Sequence, residues 1–275
     1  MTDPRQSHRP LLRCRDVRVR FGGIMALDGV GFDVPEGQIV GIIGPNGAGK
    51  TTLFNCISRL YPVHGGDILL DGVSLLSQPQ HRIAGLGIAR TFQNVALFDT
   101  LSVAENIALG AHRRLGRGFL ADALRFPSAV RAQRALAAEA ARWLDMLGLE
   151  NVAHRRVSDL PFGTRKRVEL ARALACKPRL LMLDEPVAGL NHAEVEELTA
   201  LVRSLKERLG LTVLLVEHHM HVVMSLSDIV VALDFGRRIA AGTPEQVQRD
   251  PEVIRAYLGD QRSGPPRDLE RKAAS

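Results

Sequence analysis

Residues 38–57 read QIVGIIGPNGAGKTTLFNCI. The run QIVGIIG is continuously apolar, the pattern of a strand covered on both faces. Gly44–Thr51, GPNGAGKT, matches G-x-x-x-x-G-K-S/T in full, and an apolar helical pattern follows. In such a loop Gly44, Gly47 and Gly49, interleaved with Pro45, Asn46 and Ala48, let backbone N–H groups converge on phosphate oxygens. The helix behind it, opening at Thr51 and Thr52, adds the positive end of its dipole. Lys50 reaches the β and γ phosphates, and the Thr51 hydroxyl ligates Mg²⁺. Chance produces this pattern in about one chain in a hundred of this length, and the strand–loop–helix context makes it rarer.

A phosphate loop needs a second strand that ends in carboxylates for its metal. RLLMLDEP (179–186) supplies one. Asp184 is placed to hold Mg²⁺ through water, and Glu185 to take a proton from the attacking water.

Outward from these two strands the chain alternates β and α patterns. LLRCRDVRVRF, ALDGVGFDV and DILLDGVSL read as short β segments in the first 75 residues. A helical pattern runs from about Ala104 to Gly148 and includes an Arg/Ala-rich insert. LPFGTRKR (160–167) starts another helix, with Pro161 tolerated where its missing N–H has no intrahelical partner. HAEVEELTALVRSLKERLG (192–210) is amphipathic and closes on Gly210. LTVLLVE (211–217) is a third buried strand, DIVVALDFGRRIAAG (228–242) a terminal hairpin, and PEQVQRDPEVIRAYLG (244–259) a helical end. These segments predict a three-layer α/β core with an antiparallel β appendage and a helical one. Residues 1–10 and 261–275 are polar and read as disordered, leaving 11–260 as one domain with its helical insert at about 94–175.

Composition narrows the partners. A net charge of +6 suits an anionic ligand or surface, while 4% aromatic residues argue against an aromatic platform for nucleic acid. Cys14, Cys56 and Cys176 form no C-x-x-C pair, which argues against a structural zinc site and suits a reducing compartment. The N-terminus has no apolar signal core, and apolar runs are too short for a transmembrane helix.

With the two motifs in place, the chain resembles the nucleotide-binding subunit of ATP-binding-cassette (ABC) transporters, from about Leu12 to Gly259. Gln93 in ARTFQNVALF looks like the family's glutamine loop. LPFGT stands where the family has its signature LSGGQ: Leu160 and Gly163 match, but Pro161, Phe162 and Thr164 depart. AGLN, ending at Asn191, stands at the D-loop, and His218 at the switch histidine; His219 and His221 read as surface histidines. The resemblance implies a P-loop NTPase (RecA-like) core binding ATP and Mg²⁺. It implies that Phe21 stacks on adenine (the other reading is a strand core residue), that Gln93 ligates the metal or the attacking water, and that His218 bonds the γ-phosphate. It also implies that residues 160–164 face ATP held by a second cassette, with Pro161 lacking the family's serine hydroxyl.

The RTFQNVALF loop, the AGLN ending and VIRAYLG are similar to the branch that imports branched-chain amino acids. That branch implies a partner ATPase subunit, more often a different chain, two membrane permeases, a periplasmic binding protein, and work at the cytoplasmic face of the bacterial inner membrane. Urea or amide import, lipopolysaccharide export and a soluble non-transport ATPase stay open as alternatives. The basic insert Arg113–Arg142 reads either as a solvated face or as a docking region near permeases and lipid headgroups.

Overall fold

The computed structural model describes residues 10–93, 95–112 and 127–261. The readings of residues 1–9, 113–126 and 262–275 fall outside them. The chain opens with β1 (Pro10–Phe21) and β2 (Ile24–Pro35), an antiparallel hairpin. β4 (Gly65–Leu70) and the short β5 (Val73–Ser74) complete an antiparallel sheet of order β2-β1-β4-β5. The β appendage expected from the sequence is this sheet.

The second sheet takes the apolar runs. β3 (Ile39–Ile43), β7 (Leu180–Asp184) and β8 (Thr212–Val216) are buried at every residue. With β6 (Ile88–Arg90), β9 (Ile229–Asp234) and β10 (Arg237–Gly242) they give the order β10-β9-β3-β8-β7-β6. Pairing is parallel from β9 to β6, and β10 is the antiparallel edge. Successive residues point to opposite faces. Leu181, Leu183, Val213 and Leu215 enter one core, and Leu180, Met182, Leu214 and Val216 the other. Both faces are covered, so polar residues enter β7 and β8 only at strand ends, as Asp184 and Thr212.

One core is filled by helix α1 (Lys50–Ile57), through Leu53, Phe54 and Ile57, together with Leu12, Val19 and Val30 of the antiparallel sheet. Full burial of each such side chain contributes about 2 kcal/mol. The other core takes the insert helices α2 (Val103–His112), α3 (Pro127–Leu147) and α4 (Phe162–Ala175), with α5 (His192–Leu209). Short helices α6 (Met220–Leu226), α7 (Pro244–Gln248) and α8 (Pro251–Gln261) follow. The layered α/β architecture matches the expectation.

Two elements differ from the sequence reading. β6 and α6 carried no expectation of their own. β6 has three residues, too few to show a period, and α6 has seven, hidden in an apolar run broken by histidines. The turn of the terminal hairpin holds Phe235 and Gly236 at φ 41° and 75°, the two left-handed residues of a tight hairpin turn. Cys14 and Cys56 are buried and Cys176 partly so, all as free thiols; burial raises Cys56 to about 11.

Among the described residues, no helix is long and apolar enough to cross a membrane.

Candidate active site

The phosphate loop leaves β3 at the carboxyl edge of the parallel sheet, where open α/β sheets bind ligands. Gly44, Gly47 and Gly49 have φ of 152°, 79° and 99°. A Cβ on Gly44 would collide with the Leu233 carbonyl, and one on Gly49 would lie 2.7 Å from the Ala26 carbonyl oxygen. These glycines therefore let the loop nest against β2 and the end of β9. The Gly236 amide donates to the Ala48 carbonyl at 3.1 Å, tying the terminal hairpin to the loop. Gly49 caps α1 with no side-chain bond, and no acidic residue stands in the first turn. The first amides of α1 are thus left for an anion. Lys50 is buried, and its Nζ donates to the carbonyls of Gly44 at 2.6 Å and Pro45 at 2.9 Å. The ammonium is curled over the loop's own cradle. Thr51 is exposed and Thr52 half-buried at the helix start.

Beside the loop, Asp184 ends β7 and is buried in an ion pair with Arg90 of β6, Nη2 to Oδ2 at 2.7 Å. Glu185 follows with φ 47°, and its amide donates to the Val216 carbonyl at 2.8 Å. That left-handed step turns its side chain out of the strand line. Gln93 Nε2 donates to Glu185 Oε2 at 2.8 Å, and His218 Nδ1 lies 3.8 Å from the same oxygen. Two residues from two other loops, Gln93 and His218, thus meet on the Glu185 carboxylate. With its amide nitrogen engaged, Gln93 keeps its carbonyl oxygen for another partner. The hard oxygen donors of Thr51, Asp184 and Gln93 suit Mg²⁺.

Sequence reasoning missed the residues that hold this cluster. Arg90 also donates to Asn55 Oδ1 at 2.8 Å and stacks its guanidinium on the Phe54 and Phe92 rings. Glu169 of α4 accepts from the Phe92 and Ala96 amides at 3.1 and 3.3 Å. Burial pushes the Glu169 carboxyl up, against the pull of those amides and of Lys166. Lys166 donates to the Gln93 carbonyl at 3.1 Å; burial pushes it down, while Glu169, Glu217, Glu185 and Asp184 oppose that shift. The glutamine loop is therefore pinned from both sides by α4. Each residue is an ordinary member of a helix or strand pattern, and only folding brings them together.

The segment 160–164 opens α4. Leu160 is buried, Pro161 is the N-cap, and Phe162 is 42% exposed. Phe162 packs against the D-loop: a Cβ on Gly189 would sit 3.0 Å from its Cε1. Gly163 faces α5, and a Cβ there would lie 2.5 Å from Glu194 Oε1. Asn191 caps α5 in a reciprocal box with Glu194, its Oδ1 accepting the Glu194 amide at 3.0 Å. Asparagine does here what the commoner aspartate would do as a cap. Pro161 and Thr164 are exposed and half-buried respectively, with Pro161 offering neither hydroxyl nor amide.

Phe21 ends β1 on the hairpin that packs against the phosphate loop. It is 43% exposed, which removes the core reading, and meets Tyr61 edge-on at 5.2 Å. Its face is open for stacking. His219 and His221 are both exposed, and His219 Nδ1 also meets Glu217 Oε2 at 3.0 Å.

A phosphate loop, a carboxylate-ended strand one place removed from it in the same sheet, and a glutamine and histidine converging on one glutamate define a P-loop ATPase. A family model described as "ABC transporter" matches residues 27–188, and one described as "Branched-chain amino acid ATP-binding cassette transporter" matches residues 237–262. The chain belongs to the ABC transporter ATP-binding family. It is similar to the high-affinity branched-chain amino acid transport ATP-binding protein BraF of Pseudomonas aeruginosa, 46% identical over 252 residues, covering 92% of this chain and 99% of that protein. Among solved structures, the ADP conformation of MJ1267, an ATP-binding cassette of an ABC transporter, matches with a TM-score of 0.79 at 29% identity, over 91% of this chain and 99% of that one. A dimeric post-hydrolysis state of the ATP-binding cassette MJ0796, bound to ADP and Pi, matches with a TM-score of 0.71 at 26% identity, over 85% and 98%.

Proposed function

We propose that this chain is the ATP-hydrolysing subunit of an importer of branched-chain amino acids or related small solutes, acting at the cytoplasmic face of a bacterial inner membrane. The observation that carries it is the meeting of Gln93 and His218 on Glu185 beside the phosphate loop. The family model over residues 237–262 and the likeness to BraF support the cargo.

In this reading the loop amides and Lys50 take the β and γ phosphates, with Lys50 released from the Gly44 and Pro45 carbonyls. Phe21 stacks on adenine. Thr51, Asp184 and Gln93 would hold Mg²⁺, which would neutralise phosphate charge. Gln93 orients a water and Glu185 accepts its proton as the water oxygen attacks the γ-phosphorus and the bond to ADP breaks. His218 donates to the departing phosphate. A second cassette, by the resemblance to the amino-acid-import branch a different chain, lies across the nucleotide, and Leu160, Pro161, Phe162, Gly163 and Thr164 face the ATP it holds; the likeness to the dimeric cassette supports the pairing of two cassettes. Two permeases sit on the pair, and a periplasmic binding protein delivers the solute.

The test is affinity capture of the tagged chain from its native membrane, followed by ATPase assay of the complex. Two hydrophobic permeases and a second cassette are expected, with turnover stimulated several-fold by binding protein loaded with leucine. Stimulation by urea but not by leucine, or capture of an export complex, would overturn the cargo.

A further inference from the structure

Glu217 follows β8 and is fully buried, yet none of the roles above uses it. Its carboxylate is saturated by N–H groups from two loops. Oε1 accepts the Val187 amide at 3.1 Å, two residues past Glu185. Oε2 accepts the amides of His218 at 3.0 Å and His219 at 3.1 Å, and meets His219 Nδ1 at 3.0 Å. Glu217, His218 and His219 lie close enough together to suggest a metal site. The donors already on both carboxylate oxygens give a hydrogen-bonded clamp instead. A buried carboxylate costs several kcal/mol unless such donors compensate it.

The placement matters because β7 and β8 are parallel neighbours, with Asp184 opposite Val216. Glu217 and Glu185 are therefore the first residues beyond two neighbouring strands, β8 and β7. Glu217 fixes the backbone of the loop that carries His218 to the backbone that leaves Glu185 for the D-loop. His218 Nδ1 is 3.8 Å from Oε2 of both Glu185 and Glu217, held midway between the two without closing a hydrogen bond to either.

We infer that Glu217 is a positioning residue for ATP hydrolysis, setting the distance between His218 and Glu185 by bridging their two loops. A merely structural buried carboxylate would lower stability and leave the chemistry of folded protein unchanged. A positioning carboxylate acts through His218, so its removal changes nothing further once that imidazole is gone.

The inference rests on the roles proposed for Glu185 and His218, and a double-mutant cycle in the full-length chain separates the two. Steady-state ATPase rates are measured for Glu217→Gln, His218→Ala and the double variant, with ATP affinity and melting temperature alongside. Glu217→Gln keeps the shape but turns one acceptor into a donor. Misplacement on the order of 1 Å costs about 10- to 100-fold in kcat, with ATP affinity expected to stay within about 3-fold, as for loss of a transition-state interaction. The double variant should then match His218→Ala alone. If Glu217→Gln does not fold, Glu217→Asp keeps the charge but is one methylene too short to span both loops. It should lose kcat in the same coupled way. Additive losses, or wild-type kcat in the folded Gln or Asp variant, overturn the inference. An unaffected His218→Ala enzyme overturns the proposed role of His218 first.

Discussion

Glu185 leaves β7 in a left-handed conformation that costs a non-glycine residue about 1–2 kcal/mol. The bond from its amide to Val216 offsets part of that cost. The strained step aims the carboxylate at Gln93 and His218 rather than along the strand. Removing only its proton affinity should leave binding intact. Glu185→Gln is expected to bind ATP as wild type does, by equilibrium titration, and to lose turnover by about 10²- to 10⁴-fold. Unchanged turnover would remove Glu185 as the base. At this scale the sequence was informative wherever a motif has fixed spacing: GPNGAGKT and LLMLDEP name their residues by position. It was silent on Arg90, Lys166, Glu169 and Glu217. Their partners lie 94, 73, 77 and 30 residues away along the chain, and no local pattern marks a residue for such a meeting.

Helix α4 shows how one element serves two loops. Its first turn packs on the D-loop through Phe162, and its second and third present Lys166 and Glu169 to the glutamine loop. The Glu169 carboxyl is raised by burial above its ordinary value of 4.5. The folded chain then binds this proton more tightly than the unfolded chain does, so the group's contribution falls as pH rises from 4.5 through the folded value. Glu169→Gln keeps an oxygen for the Phe92 and Ala96 amides and removes the titration. Denaturant melts should show the variant gaining stability on wild type as pH climbs through that window; a constant difference would contradict the assignment. The helix start was legible in LPFGTRKR because proline and glycine punctuate it. Strand β6 was not, since three residues carry no period, and it is the element that brings Arg90 to Asp184.

For the molecule as a whole, the parallel sheet gathers every loop of the site at one edge, while the antiparallel sheet brings Phe21 to the same side. Alternating apolar and helical runs announced that architecture, because burial on both faces leaves a plain signature. The pairing of two cassettes left a weaker trace, an altered signature. Pro161 supplies no hydroxyl where the family supplies one. Where the partner cassette keeps the family's serine, the nucleotide completed by this chain's segment is expected to turn over more slowly than the other. Pro161→Ser should raise the rate of that site, measured with the other disabled, by about 10- to 100-fold, the worth of about one charge-assisted hydrogen bond; an unchanged rate would show that the missing hydroxyl does not limit that site. The contact of Phe162 with Gly189 carries this further. The segment proposed to face a partner's nucleotide leans on the D-loop, and the amide of Val187, just before the D-loop, is held by Glu217, which also accepts the amide of His218 in the chain's own site. Filling one site should therefore make the second easier to fill, giving a sigmoidal dependence on ATP concentration with a Hill coefficient above one. Phe162→Ala, which removes the ring that packs on Gly189, should flatten that curve toward the hyperbola of two pockets acting alone, even where it also weakens the affinity for ATP.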